Sequence, residues 1–260
     1  MDTYAIEADS VTKVYLNRQD EVHALKPISF RIHPGEFVSL VGPSGCGKST
    51  VLSLMAGLIR PSSGCLRIFG KEVTAPSNRV SYMLQQDCLL DWRTVEDNIT
   101  LGLEFRGRKN RQTSHDARQL LELLGLRHTL KLFPSQLSGG MRQRVALVRT
   151  LAVEPDLLLL DEPFSAVDYQ TKLHLEKLLT DGLKIREMTA LLVTHDLEEA
   201  LSLSDRILVM GGQPGEIRRT LEVPEELRSA DPLTARGMPS FRPLFNELWK
   251  EMESHDKTVD

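Results

Sequence analysis

The stretch Gly35-Glu-Phe-Val-Ser-Leu-Val-Gly-Pro-Ser-Gly-Cys-Gly-Lys-Ser-Thr50 decides the fold. Its first half, Phe37–Val41, is a short apolar run, the pattern of a strand buried on both faces. Its second half, Gly42, Pro43, Ser44, Gly45, Cys46, Gly47, Lys48 and Ser49, with Thr50 following, matches the spacing of a phosphate loop opening a helix. Glycines let the backbone curl around a phosphate chain so that successive N–H groups point inward. The helix start adds the positive end of its dipole. In that setting Lys48 supplies a point charge for β and γ phosphates, and the Ser49 hydroxyl supplies an oxygen for Mg²⁺. A nucleotide site is therefore expected.

Outward from this loop, Leu157–Leu160, Ala190–Val193 and Ile207–Met210 are further short apolar runs bounded by Gly, Pro or charge. Helical patterns lie between them at Ser49–Ile59, Ala117–Leu124, Gly139–Ala152 and Thr171–Lys184. Asp196 reads as a helix N-cap with Glu199 at the third helical position. Strand and helix alternate, which predicts an α/β domain. The section from Asp87 to Leu137 carries few strand signals and reads as a helical insert. After Val223 the chain is more polar. There Phe241, Leu244, Phe245, Leu248, Trp249 and Met252 share one helical face, with Ser240 expected as N-cap. That face either docks on its own domain or meets a partner.

Composition narrows the function classes. The 260 residues carry 32 basic and 36 acidic side chains, a net charge of −4, which argues against a protein held by nucleic-acid phosphates. No apolar run reaches the length needed to span a bilayer. The N-terminal MDTYAIEADS lacks a secretory pattern, so secretion is not expected. Cys46, Cys65 and Cys88 are an odd count without metal spacing, which fits a reducing cytoplasm. The apolar strand Leu157–Leu160 ends in Asp161-Glu162-Pro163. Neighbouring side chains on a strand point oppositely, so the two acids can take separate work: Asp161 on the Mg²⁺ shell, Glu162 on an attacking water.

With these elements the sequence resembles the nucleotide-binding subunits of ABC transporters. Leu137-Ser138-Gly139-Gly140-Met141 is similar to that family's LSGGQ signature, with Met in the last place. The resemblance implies an α/β P-loop core of ABC ATPase type. An N-terminal antiparallel β subdomain and a helical insert at about 87–152 belong to a domain spanning 1–223, with a tail over 224–260 carrying a helix at about 240–253. It implies a head-to-tail dimer of two copies sandwiching two ATP, each signature (Ser138, Gly139, Gly140) closing on the γ-phosphate held by the other copy. Asp168, in Phe164-Ser-Ala-Val-Asp168, resembles the residue that reaches across that interface. His195, some 30 residues beyond Asp161, matches the switch histidine. Gln85, with Gln86 beside it in register, resembles the glutamine that meets Mg²⁺ together with Ser49 and Asp161. Tyr15 resembles the aromatic that stacks on adenine.

The run Leu89-Leu90-Asp91-Trp92-Arg93-Thr94-Val95-Glu96-Asp97-Asn98 is similar to the LLPW-x-TV-x-x-N run of nitrate, sulfonate and taurine importers, with Asp91 where Pro is usual. Pyrimidine- and thiamine-precursor importers look similar here, and an exporter ATPase or a soluble clamp would share the ATP chemistry. About 90 residues separate Lys48 from Ser138, short of the insertions typical of DNA-repair relatives. The tail has no room for the regulatory barrel of sugar importers. The implied partners are integral membrane permease subunits and, indirectly, a solute-binding receptor, with no nucleic acid. The implied location is the cytoplasmic face of the cell membrane.

Overall fold

The phosphate-loop strand, Phe37–Val41, is buried at all five positions and pairs in parallel with two equally apolar neighbours, Thr189–Val193 and Arg206–Gly211. A strand buried on both faces has no polar side to show, and its neighbours read the same way. Glu216–Glu222 adds an antiparallel edge strand to Arg206–Gly211, with alternating burial that marks one wet face. A separate antiparallel sheet sets Glu21–Ile32 and Ser63–Ile68 on either side of Ile6–Leu16, with Lys71–Glu72 on its edge. The chain is a computed structural model that describes residues 4–16 and 20–253. The start of the acidic N-terminal stretch, residues 1–3, and the end of the tail, residues 254–260, lie outside the described residues.

Two compact units emerge, one from Met1–Ser77 with Glu176–Asp260 and the other from Asn78–Leu175. All the strands named so far belong to the first. The expected helix after the phosphate loop runs Lys48–Met55, ending four residues before its apolar pattern does. Gly57 is the reason: at φ 70 it closes a left-handed C-cap, with Leu58 N–H bonding Ser53 O and Gly57 N–H bonding Leu54 O, both at 3.0 Å. The helix Leu197–Leu203 starts at Asp196, whose carboxylate accepts from the N–H groups of Glu198 and Glu199 as expected.

The tail folds back as Glu225–Ser229, Pro232–Arg236 and Phe241–Glu253. Leu227, Ala235, Phe241 and Leu248 enter a core shared with Leu197, Ala200, Leu201, Leu221 and Val223. The amphipathic face is therefore docked on its own unit. The Ser240 cap does not form: among the described residues its buried hydroxyl finds no hydrogen-bond partner, and the N–H of Phe241 bonds Met238 O instead.

In the second unit, Val80–Met83 pairs in parallel with Leu157–Asp161. Around them stand the helices Val95–Ile99, Leu101–Phe105, Arg111–Leu123 and Gly139–Leu151. The helices Val95–Ile99 and Arg111–Leu123 both pack on Gly139–Leu151, making the expected helical region. Asn98 is fully buried and organises the loop before it. Its amide N–H₂ donates to the carbonyls of Leu90, Arg93 and Thr94, and its Oδ1 accepts from Leu90 N–H at 2.8 Å. A buried amide with its donors and acceptor satisfied fixes a loop that an apolar residue could not.

Candidate active site

The phosphate loop in the first unit is shaped by glycine. A Cβ on Gly42 would meet Met210 O at 2.6 Å and Cys46 Sγ at 2.8 Å. Gly45 and Gly47 sit at φ 82 and 95, where side chains are strained. Lys48 is buried, and its Nζ donates to Gly42 O at 2.7 Å and Pro43 O at 2.8 Å. The ammonium thus reaches back to the start of the loop that precedes it. Burial pushes the Cys46 thiol up, against the pull of the nearby Lys48 charge, so this cysteine is an inert filler of the loop. Ser44, Gly45 and Ser49 are exposed, and Thr50 is half-buried.

Tyr15 and His195 belong to the same unit. Tyr15 is 41% exposed, with Lys13 Nζ 5.0 Å from its ring centroid, so one face of the ring is already in contact with a cation. His195 is exposed just beyond the strand Thr189–Val193. It sits between Thr194, whose Oγ1 accepts from Asp196 N–H at 3.0 Å, and the helix-capping Asp196. Both neighbours are pinned, which holds the His195 backbone.

The second unit gathers the carboxylates and the signature. Asp161 is buried at the end of its strand, with Tyr82 Oη donating to it at 3.3 Å. Gln85 Nε2 donates to Glu162 Oε2 at 3.1 Å, so these two predicted residues meet. Glu162 has φ 48, a left-handed conformation uncommon for a side chain with a Cβ. Strain of that kind concentrates where geometry serves function. Ser138 caps the signature helix by accepting from Met141 N–H at 3.4 Å. Gly139 is open, whereas a Cβ on Gly140 would lie 2.9 Å from Ala166 O, so the helix start is fitted to the loop after Glu162. Asp168 is exposed and caps its own helix. The backbone N–H and the hydroxyl of Thr171, with help from the Arg144 charge, hold its carboxyl below the usual range.

Four residues outside the predicted set tie this unit together. Gln143 is buried; its Nε2 donates to Glu162 O at 3.0 Å and its Oε1 accepts from Ala166 N–H at 2.9 Å. It clamps the strained turn to the signature helix. Arg142 forks onto Asp87, Nε at 2.8 Å and Nη2 at 3.0 Å, and reaches Asp91 at 3.5 Å. Asp91, the residue in the place of the usual Pro, thereby adds a carboxylate to the same guanidinium. The sequence signal was available in Arg142 and Gln143, polar residues immediately after the signature, but not in their distant partners.

A strand, a glycine-shaped loop, a buried lysine and an adjacent pair of strand-end acids define a P-loop nucleoside triphosphatase. Residues 25–165 match the family described as ABC transporter. The ATP-binding protein YtlC of Bacillus subtilis is 46% identical over 252 residues, covering 97% of each chain. The nitrate import ATP-binding protein NrtD of Synechocystis is 40% identical, covering 84% of this chain and 82% of its own. The aliphatic sulfonates import ATP-binding protein SsuB of Bacillus thuringiensis is 38% identical, covering 84% and 85%. Among solved structures, the ATP-binding cassette MJ0796, dimeric and bound to ADP and Pi, superposes with a TM-score of 0.76 at 30% identity. It covers 84% of this chain and 99% of its own. The chain belongs to the ABC transporter family. It is an ATP-binding, ATP-hydrolysing subunit with the α/β cassette fold, related to nitrate and sulfonate importer ATPases. Among the described residues no helix is long and apolar enough to cross a membrane.

Proposed function

We propose that this subunit energises import of a small solute of the nitrate, sulfonate or taurine kind. The observation that carries the reading is its likeness to NrtD and SsuB over 84% of the chain, joined to the Leu89–Asn98 run built around buried Asn98. Two copies act head to tail, a reading supported by the dimeric MJ0796 cassette. Gly42, Pro43, Ser44, Gly45, Cys46, Gly47, Lys48, Ser49 and Thr50 of one copy hold the ATP phosphates, and Tyr15 stacks on adenine. Ser138, Gly139 and Gly140 of the second copy close on the γ-phosphate, with Asp168 at the interface. Glu162 takes the proton of the attacking water, and His195 orients that water against the γ-phosphate.

The donor chemistry suits Mg²⁺: Ser49 hydroxyl, Gln85 amide oxygen and Asp161 carboxylate are hard oxygen ligands. When bound, the ion neutralises charge on the β and γ phosphates. Lys48 supplies its charge to the same phosphates, from a position held by two loop carbonyls. Gln85 and the Trp92 region, where Trp92 is 75% exposed, receive a short helix from each permease subunit at the cytoplasmic face of the membrane. Solute choice rests with those subunits and a separate receptor. Uptake of nitrate, a sulfonate, taurine and a pyrimidine precursor, compared between cells with the native chain and cells with Glu162→Gln, tests the reading. Loss of uptake of one of the first three supports it. Loss confined to the pyrimidine precursor, or no loss of any, overturns the solute class.

A further inference from the structure

The tail carries a buried ion pair that the chemistry above leaves unused. Arg236 and Glu176 have side chains only 9% and 0% exposed. The pairing is a two-pronged fork, Nη1 to Oε2 at 2.8 Å and Nη2 to Oε1 at 2.9 Å. Arg236 Nη1 also donates to Pro232 O at 3.0 Å, and its Nε lies 3.8 Å from Glu198 Oε2. One guanidinium from the tail therefore grips Glu176, on the helix Tyr169–Arg186, by two hydrogen bonds and lies within ion-pair distance of Glu198, on Leu197–Leu203, toward which its buried Nε makes no hydrogen bond.

The geometry leading from Arg236 to the candidate site is short. Glu198 is the second residue of the helix Leu197–Leu203, and its N–H donates to Asp196 Oδ1 at 2.9 Å. Asp196 follows His195 directly and is tied to Thr194 on its other side. The tail is itself anchored: Asp231 caps Pro232–Arg236 by accepting from the N–H groups of Leu233 and Thr234. Ala235, beside the guanidinium, is fully buried in the core that also receives Leu201. A forked pair with buried partners has one arrangement, because breaking either bond strands a charge away from water. An apolar contact alone would let the short helix slide or roll.

We infer that Arg236 is a positioning residue for ATP hydrolysis: through Glu198 and the Asp196 cap it fixes where His195 stands. The inference rests on the reading of His195 as the residue that orients water. The tail of this chain thus belongs to the hydrolytic machinery.

The test uses the full chain and measures kcat and KM for ATP, the Kd of a fluorescent ATP analogue, and the thermal midpoint. Arg236→Lys keeps the charge and loses the fork; Glu198→Gln keeps the shape and removes the outer carboxylate, which is 39% exposed and tolerates the change. Arg236→Lys is expected to lower kcat about tenfold and Glu198→Gln about threefold, each with analogue Kd within about twofold of native. A residue that serves stability alone would lower the midpoint without splitting kcat from binding. Native kcat in folded variants overturns the inference, as does a loss confined to KM. Should Arg236→Lys fail to fold, Glu198→Gln decides. His195→Ala separates the two readings. If it keeps native turnover, the reading of His195 fails and the inference falls with it. If it is inactive while both other variants are normal, only the inference fails.

Discussion

Replacing Asp87 by Asn breaks the tie between the signature helix and the segment that follows Gln85, and its cost can be worked from the geometry. Asp87 accepts two guanidinium bonds from Arg142, at 2.8 and 3.0 Å, and the N–H of Leu89 at 3.0 Å, with both charged side chains about a quarter exposed. Asn keeps one acceptor oxygen, so the variant loses one charge-assisted bond, about 1.5–3 kcal/mol. Asp91 recovers little of this, being 69% exposed and 3.5 Å away. A net loss of about 2 kcal/mol lowers the thermal midpoint by about 4–8 °C in a chain of this size. Burial by itself pushes the Asp87 carboxyl up. The Arg142 fork, the Leu89 N–H and the charges of Arg142 and Arg149 outweigh it and hold the group below its usual value. A carboxylate depressed in the folded state stabilises above its unfolded pKa, and that contribution disappears as pH falls through the folded value. The gap between native and variant midpoints should therefore be full at pH 7 and close below about pH 4. Thermal unfolding followed by circular dichroism between pH 7 and pH 3 reads it directly. A gap under about 1 °C at pH 7, or one that does not change with pH, refutes the reasoning.

Two further substitutions probe the phosphate and signature elements separately. Lys48→Ala removes the ammonium and leaves Gly42 O and Pro43 O without their donor. ATP affinity measured by calorimetry should fall about a hundredfold, from one or two charged hydrogen bonds, and unchanged affinity contradicts the assigned place of Lys48. Gly140→Ala puts a Cβ 2.9 Å from the Ala166 carbonyl, so the start of the signature helix must shift. Turnover should drop by about tenfold or more while ATP binding by a single copy stays native, since Gly140 is assigned to the ATP of the other copy. A matching loss of single-copy binding would count against that division.

Much of the fold was readable where the physics is local. Four apolar runs became buried parallel strands because a strand covered on both faces needs only one kind of residue. The phosphate loop was readable because a backbone cradle requires glycine at set places. Failures came where a local rule met tertiary structure. The helix after Lys48 ends at Met55 because Gly57 takes a left-handed turn against Ala75, whose carbonyl carbon a Cβ would meet at 2.5 Å. Ser240 has the right identity for a cap, yet its hydroxyl is buried without a partner. Non-local ties were invisible: Asp87 and Arg142 stand 55 residues apart, and Arg236 and Glu176 stand 60 apart. No spacing rule links such pairs. Gln143 lay within the motif region, but its grip on Glu162 O and Ala166 N–H follows only from the strained turn those atoms form.

The central claim is that Glu162 drives ATP hydrolysis between two copies of this chain. Glu162→Gln preserves the side-chain size and a carbonyl oxygen, and removes the proton acceptor. Steady-state ATPase and ATP-dependent dimerisation, measured by light scattering on the same preparation, test the claim together. Turnover should fall at least about a hundredfold, with ATP still bound and the dimer persisting longer than native. Near-native turnover in a folded, ATP-binding variant would contradict it.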